Sequence, residues 1–164
     1  MKTSQKGAVA EAAILAEAVK MEIGVLLPFN EGSRYDLVLD VGNRLLRAQC
    51  KWGAVTRDTI HVRLNTSRLT PSGYVRTTYS AAEVDGFAVY CDDLDRCYWL
   101  PIEEFGGKTF VYLRLAPARN NQQQLVKWAA QYEFGAIAQL EERLAGSQKV
   151  VGSSPTSSTS KPLF

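Results

Sequence analysis

Two strand-like runs, residues 35–41 and 44–52, are separated by nothing but Gly42-Asn43. A two-residue connection makes its flanking strands antiparallel neighbours, and glycine admits the positive φ that such a turn needs. Both runs are apolar with polar interruptions: Tyr35-Asp36-Leu37-Val38-Leu39-Asp40-Val41, then Arg44-Leu45-Leu46-Arg47-Ala48-Gln49-Cys50-Lys51-Trp52. Side chains two apart on a strand share a face, so Gln49 and Lys51 project together and Cys50 faces the other side. The hairpin lays the strand of Asp36 against them. Charge on a core strand is costly unless it is paired or binds metal. The hairpin therefore constrains the chemistry as well as the fold.

At 164 residues, 46% hydrophobic, the chain suffices for one domain with a substantial core. Its longest apolar runs, such as residues 23–27, are too short to span a bilayer. Met1-Lys2-Thr3-Ser4-Gln5-Lys6 leads into a helix carrying Glu11 and Glu17 rather than a signal-peptide core, so a cytoplasmic protein with no membrane partner is expected. Cys50, Cys91 and Cys97 form no CxxC pair and the chain has 1 histidine, which argues against zinc or haem. The three cysteines read as small buried apolar residues. His61 reads as structural or phosphate-facing, since no partner for a general base is evident.

Between residues 34 and 79, Arg34, Arg44, Arg47, Lys51, Arg57, Arg63, Arg68 and Arg76 outnumber Asp36, Asp40 and Asp58. Between residues 80 and 107 the balance reverses, with Arg96 alone among acids. A basic half that contains the polar hairpin suits an anionic polymer.

Apolar residues near a 3.6 period (Ala8, Ala12, Ile14, Leu15, Ala18, Val19) predict a helix over residues 4–21, with Glu11 among them. A short buried strand is expected over 23–28, and further strands over 59–64, 87–90, 97–102 and 109–115. Residues 65–79 read as a polar, basic loop with Pro71-Ser72-Gly73 at its tip. Ser80 and Glu83 have the spacing of a capping box. Residues 122–144 read as a helix. Helix, strands, then a late helix make the class mixed α/β.

Asp36, Gln49 and Lys51 thus share a face, and Glu11 on the preceding helix could cover it. Two carboxylates, the Gln49 amide oxygen and the Cys50 main-chain carbonyl suit Mg²⁺, with Mn²⁺ substituting, because hard cations prefer oxygen. Lys51 beside them could orient or deprotonate an attacking water and offset phosphate charge.

This pattern resembles the PD-(D/E)XK nuclease superfamily, the restriction-endonuclease-like α/β fold: an acid on one strand, an acid-x-Lys on the next and a helical Glu ahead. Glu11, Asp36 and Gln49-Cys50-Lys51 occupy those places. Tyr35 stands where the signature has Pro, and Gln49 stands where it has its second acid. A glutamine there is similar to a narrower group, the homing endonucleases of bacterial, notably cyanobacterial, tRNA group I introns. The resemblance implies a metal-dependent, site-specific double-strand DNA endonuclease acting on a long pseudo-symmetric target as a homotetramer. A junction resolvase or restriction enzyme of the same fold, or a DNA-binding protein that has lost catalysis, stays open on the residues alone.

For DNA contact the reading selects Ser67, Arg68, Arg76 and Thr77 on the basic loop, with Arg57 and Arg63 gripping the backbone. Aromatics at Tyr98, Trp99 and Phe105 are candidate interface anchors, though core is their ordinary role. Residues 1–133 are expected to form the nuclease domain. Residues 134–164 are expected to be a helix and a disordered Ser/Thr/Pro-rich tail. Back-translation of residues 138–143 and 152–155 approaches the D-arm and T-arm text of a tRNA gene, which suggests read-through; an ordinary amphipathic helix with a flexible end is the alternative.

Overall fold

The computed structural model describes residues 1–30, 32–117 and 126–139, without the side chains of Arg68 and Leu69. Helix α1 (Thr3–Lys20) leads into β1 (Gly24–Leu26), β2 (Leu37–Val41), β3 (Arg44–Thr56) and β4 (Thr59–Arg63). A separate hairpin, β5 (Thr66–Thr70) and β6 (Gly73–Thr77), follows. The chain then forms β7 (Gly86–Cys91), β8 (Arg96–Pro101), the short α2 (Ile102–Phe105) and β9 (Phe110–Arg114).

Among the described residues the main sheet has 7 strands, ordered β1-β2-β3-β4-β9, with β7 on β3 and β8 on β7. All pairings are antiparallel except β3 with β7. The β2–β3 turn is the expected Gly42-Asn43 connection, with Gly42 at φ 58°. α1 covers one face of the sheet through Ala10, Ile14 and Ala18, all fully buried at i, i+4 spacing. Small residues let the helix approach Leu39, Ala48, Cys50 and Ala88 closely. The other face packs Ile60, Val62, Phe87, Leu100, Phe105 and Tyr132. The apolar positions expected at Ala8, Ala12 and Val19 lie outside the buried stripe; Val19 is 60% exposed.

Four further expectations are corrected. Residues 65–79 are largely a β-ribbon rather than a loop. Thr66, Thr70, Val75 and Thr77 favour extended backbone, but β6 is exposed along its whole length, so no apolar alternation marked it in the sequence. The helix expected over 122–144 is not formed over residues 126–135, and within the expected range only residues 136–139 are α-helical among those described. Arg114 N donates to Lys127 O at 2.7 Å and Phe134 N to Cys97 O at 3.0 Å, on either side of a 3-10 turn at Ala129–Tyr132. Backbone bonds to neighbouring strands replace the i−4 bonds of a helix. Residues 118–125 and 140–164 lie outside the described residues.

The strand expected to be buried over 23–28 is short β1 at the sheet edge, with Leu26 48% and Leu27 65% exposed. Tyr98, Trp99 and Phe105 are core residues rather than exposed anchors, at 1%, 4% and 0% exposure. Phe134 and Ile137 are also buried, against the α1 face, so packing continues beyond the expected boundary at residue 133. No helix among the described residues is long and apolar enough to cross a membrane.

Candidate active site

β3 is long, and its partners change along it. The β2 register ends at Ala48 and the β4 register begins at Gly53. Over residues 49–52 β7 is its strand partner among the described residues. One edge of β3 is thus open there, and unpaired strand edges keep backbone donors and acceptors available.

Asp36, just ahead of β2, fills that opening. Its N–H donates to Ala48 O at 2.9 Å, the residue that Leu37 already faces, so the chain leaves the β2 register here as at a bulge. Its Oδ2 accepts from the Cys50 N–H at 2.7 Å and also from the Gln49 side-chain amide. N–H and C=O of one strand residue point to the same edge, so the Cys50 carbonyl opens on the Asp36 side. The Cys50 side chain joins the α1 core, on the face away from Gln49 and Lys51.

Lys51 lies over the ring of Tyr79, its Nζ 4.8 Å from the ring centroid. Burial lowers the Lys51 pKa to about 8; Asp36 opposes that shift and Arg34 reinforces it. Asp36 is raised from its ordinary value, chiefly by burial, against the bonds from Cys50 and Gln49 and the charge of Lys51.

Glu11 does not cover the Gln49–Lys51 face, as the sequence suggested, because α1 packs on the opposite one. It lies instead at a cleft of about 270 Å³ that Asp36 also lines, together with Tyr35, Pro28, Phe29 and Asn30. The Glu11 pKa is raised by burial and by the Asp36 charge. Two acids in one cleft, each held above its ordinary pKa, beside an amide and a main-chain carbonyl make an oxygen-donor set fitted to a hard divalent cation. Among the described residues no three His, Cys, Asp or Glu side chains converge, so that set depends on Gln49 and the carbonyl.

The sequence reading missed three residues here. Arg34 also lies over the Tyr79 ring, Cζ to centroid 4.2 Å. Its Nε donates to Glu83 Oε1 at 2.7 Å and its Nη2 to Thr78 O at 3.0 Å. Glu83 also accepts the Ser80 N–H at 3.0 Å, which is the expected capping bond. Tyr79 is 5% exposed. The capping-box spacing located Glu83, but nothing local linked it to Arg34.

The candidate DNA contacts are dispersed. Arg57 is exposed in the β3–β4 turn. Arg63 lies on the α1 side of the sheet with His61, above Phe110, and not on the Lys51 face. Ser67 and Arg76 are cross-strand partners on the β5–β6 ribbon, and Thr77 pairs with Thr66. Arg68 sits opposite Val75, its side chain outside the described residues. His61 stacks on Tyr112 at 4.7 Å and is remote from Asp36 in the sheet. Cys50 and Cys91 are buried, Cys97 only partly, and burial raises the Cys97 thiol to about 12. Thiols so protonated are poor nucleophiles.

A larger cavity of about 530 Å³ lies beyond α1, between Glu17, Lys20, Cys97 and Glu133. Lys20 pairs there with Glu17 and Arg96 with Glu133, Asp95 accepts from the Tyr90 hydroxyl, and the cavity holds none of the hairpin acids.

An open-edged central strand carrying a glutamine and a lysine, with an acid beside it and a helical glutamate across the gap, is a nuclease arrangement. The chain belongs to the PD-(D/E)XK endonuclease family, which it matches over residues 1–135. That family makes it a phosphodiester-cleaving enzyme of mixed α/β fold. It is similar to the solved structure of a bacterial homing endonuclease, I-Ssp6803I, with TM-score 0.68 and 25% sequence identity over 91% of this chain and 99% of that one. No curated protein sequence matches the chain.

Proposed function

We propose that the chain is a site-specific double-strand DNA endonuclease of the intron-homing kind. The reading is carried by one observation: Asp36 seals an open β3 edge between Gln49 and Cys50 with Glu11 across the cleft and Lys51 one pleat away. Similarity to I-Ssp6803I supports the homing role and DNA as substrate.

Glu11, Asp36, the Gln49 amide oxygen and the Cys50 carbonyl would hold Mg²⁺, with Mn²⁺ substituting. A bound divalent ion polarises the phosphate and offsets charge on the leaving oxygen. Asp36 and Glu11 supply the negative charge of the site. To hold the ion Gln49 would present its amide oxygen in place of the amide N–H that donates to Asp36 here. The Lys51 ammonium orients the attacking water and faces the phosphate. A pKa lowered to about 8 also brings its proton within reach of exchange near neutral pH.

The β5–β6 ribbon is narrow, exposed and basic at Arg76, and a two-stranded ribbon fits the major groove. Ser67, Arg68, Arg76 and Thr77 read or grip DNA there, while Arg57 at the β3–β4 turn contacts the backbone; Arg63, on the α1 side, is not turned to the Lys51 face. One small chain covers few base pairs, so a homotetramer on a pseudo-symmetric target supplies the specificity. Residues 1–133 hold the catalytic parts.

The test is incubation of purified protein with bacterial genomic DNA in Mg²⁺, followed by sequencing of the cut ends. Recurrent ends sharing one long motif, lost in chelator, are expected. Binding without cleavage in any divalent metal would overturn the enzymatic reading, and ends without a shared motif would overturn the homing reading.

A further inference from the structure

Tyr79 carries two cations. Lys51 Nζ lies 4.8 Å and Arg34 Cζ 4.2 Å from the centroid of its ring. Two positive groups at one ring repel each other. The ring quadrupole attracts each cation but does not cancel their repulsion. Glu83 and the Thr78 carbonyl tether the guanidinium in this position. Glu83 is itself fixed by Ser80, so Arg34 is held by a rigid turn rather than by a flexible neighbour.

The arrangement keeps like charges together beside Asp36 with a third of the Arg34 side chain still exposed. An anionic oxygen placed between the two cations relieves the repulsion. Arg34 can supply it: a guanidinium has five N–H donors, and among the described residues two are committed, through Nε and Nη2. Where the family signature has a second acid this chain has neutral Gln49, so Asp36 is the acid that acts on Lys51, while Arg34 is paired with Glu83.

We propose that Arg34 is a second phosphate ligand of this centre, set on the Tyr79 ring beside Lys51 so that the two cations hold the scissile phosphate together. The proposal rests on the endonuclease reading above. Arg34 contributes a planar fork for two phosphate oxygens, whereas Lys51 contributes a point charge.

The test uses the full chain, the variants R34A and R34K, and the duplex recovered from the genomic cleavage experiment. Binding is read in the D36N background and cleavage in the otherwise unaltered chain. R34A is expected to cleave at least tenfold more slowly at saturating duplex, and its plot of log affinity against log salt to be shallower by about one unit, the signature of one lost phosphate contact. R34K should recover the salt slope but not the full rate, because the charge returns without the fork. If R34A or R34K keeps both the unaltered rate and the unaltered slope, or loses only thermal stability, Arg34 merely supports Glu83 and the proposal fails while the endonuclease reading stands. If the unaltered protein produces no specific ends, it is that reading which fails, and this proposal falls with it.

Discussion

Arg47 and Asp85 clamp β3 to the entry of β7. The Asp85 carboxylate accepts the Arg47 main-chain N–H at 2.8 Å and two guanidinium N–H groups at 3.0 and 3.1 Å. The Asp85 N–H returns a bond to the Arg47 carbonyl at 2.9 Å. This knot starts the one parallel pairing of the sheet, which holds the back of β3 where its front edge is open. Burial alone would raise the Asp85 pKa, but the Arg47 bonds outweigh it and hold the carboxyl below its ordinary value.

The clamp makes stability pH-dependent. A carboxyl whose folded pKa lies below its unfolded one stabilises the fold above the unfolded value, near 3.8 here, and loses that contribution as pH falls through the folded value. Thermal midpoints measured from pH 7 to pH 2 should fall more steeply below about pH 4 in the unaltered protein than in D85N. D85N should cost roughly 1–3 kcal/mol at pH 7 by losing charged hydrogen bonds from a half-buried site. Parallel pH curves for the two proteins would refute the assignment.

Asp36→Asn removes the charge of the residue that closes the open edge. Cleavage should drop by at least ~10³-fold, about 4 kcal/mol of barrier. DNA affinity should be retained, because no phosphate-facing cation is touched. Lys51→Ala should also suppress cleavage strongly. A single-turnover assay beside a gel-shift titration separates the two effects, and D36N cleaving within tenfold of the unaltered chain would rule Asp36 out.

Gln49→Glu brings the common family acid to this position. If the position ligates metal, cleavage should persist and half-saturation should occur at lower Mg²⁺, since a carboxylate adds charge to the donor set. A metal titration of the cleavage rate checks this. Cleavage abolished at every Mg²⁺ concentration would mean that the amide acts by donating to Asp36 and not as a ligand.

Phe134 and Ile137 pack on the α1 face at 2% and 0% exposure. A chain ending after residue 139 should therefore fold and cleave as the full chain does, in keeping with a dispensable tail. One ending after residue 133 should lose several kcal/mol, since emptying buried Phe and Ile positions costs about 2–5 kcal/mol each. Urea unfolding midpoints of the two truncations decide the matter; equal midpoints would show that this packing contributes nothing.

Much of the site could be read locally. Gln49 and Lys51 lie on one face because strand side chains alternate, and Asp36 lies beside them because Gly42-Asn43 leaves the chain no room for another pairing. The face that Glu11 approaches could not be read this way. Helix periodicity marked α1 but not which side of the sheet it would cover, and the helix chose the apolar Cys50 face. The β5–β6 ribbon was hidden for a different reason: strands wet on both sides carry no apolar alternation.

Helix α1, the β2–β3 hairpin and the Asp36–Gln49–Lys51 cluster were determined by the sequence itself, since each depends on one continuous stretch of chain and on fixed backbone periods. Only the tertiary structure decided that β3 would change partners and expose an edge, or that Arg34 would meet Glu83 across 49 residues at the ring of Tyr79. It likewise buried Tyr98, Trp99 and Phe105. Contacts of that kind arise when packed layers exclude water, and their partners are chosen by the shape of the whole core rather than by any pattern along the chain.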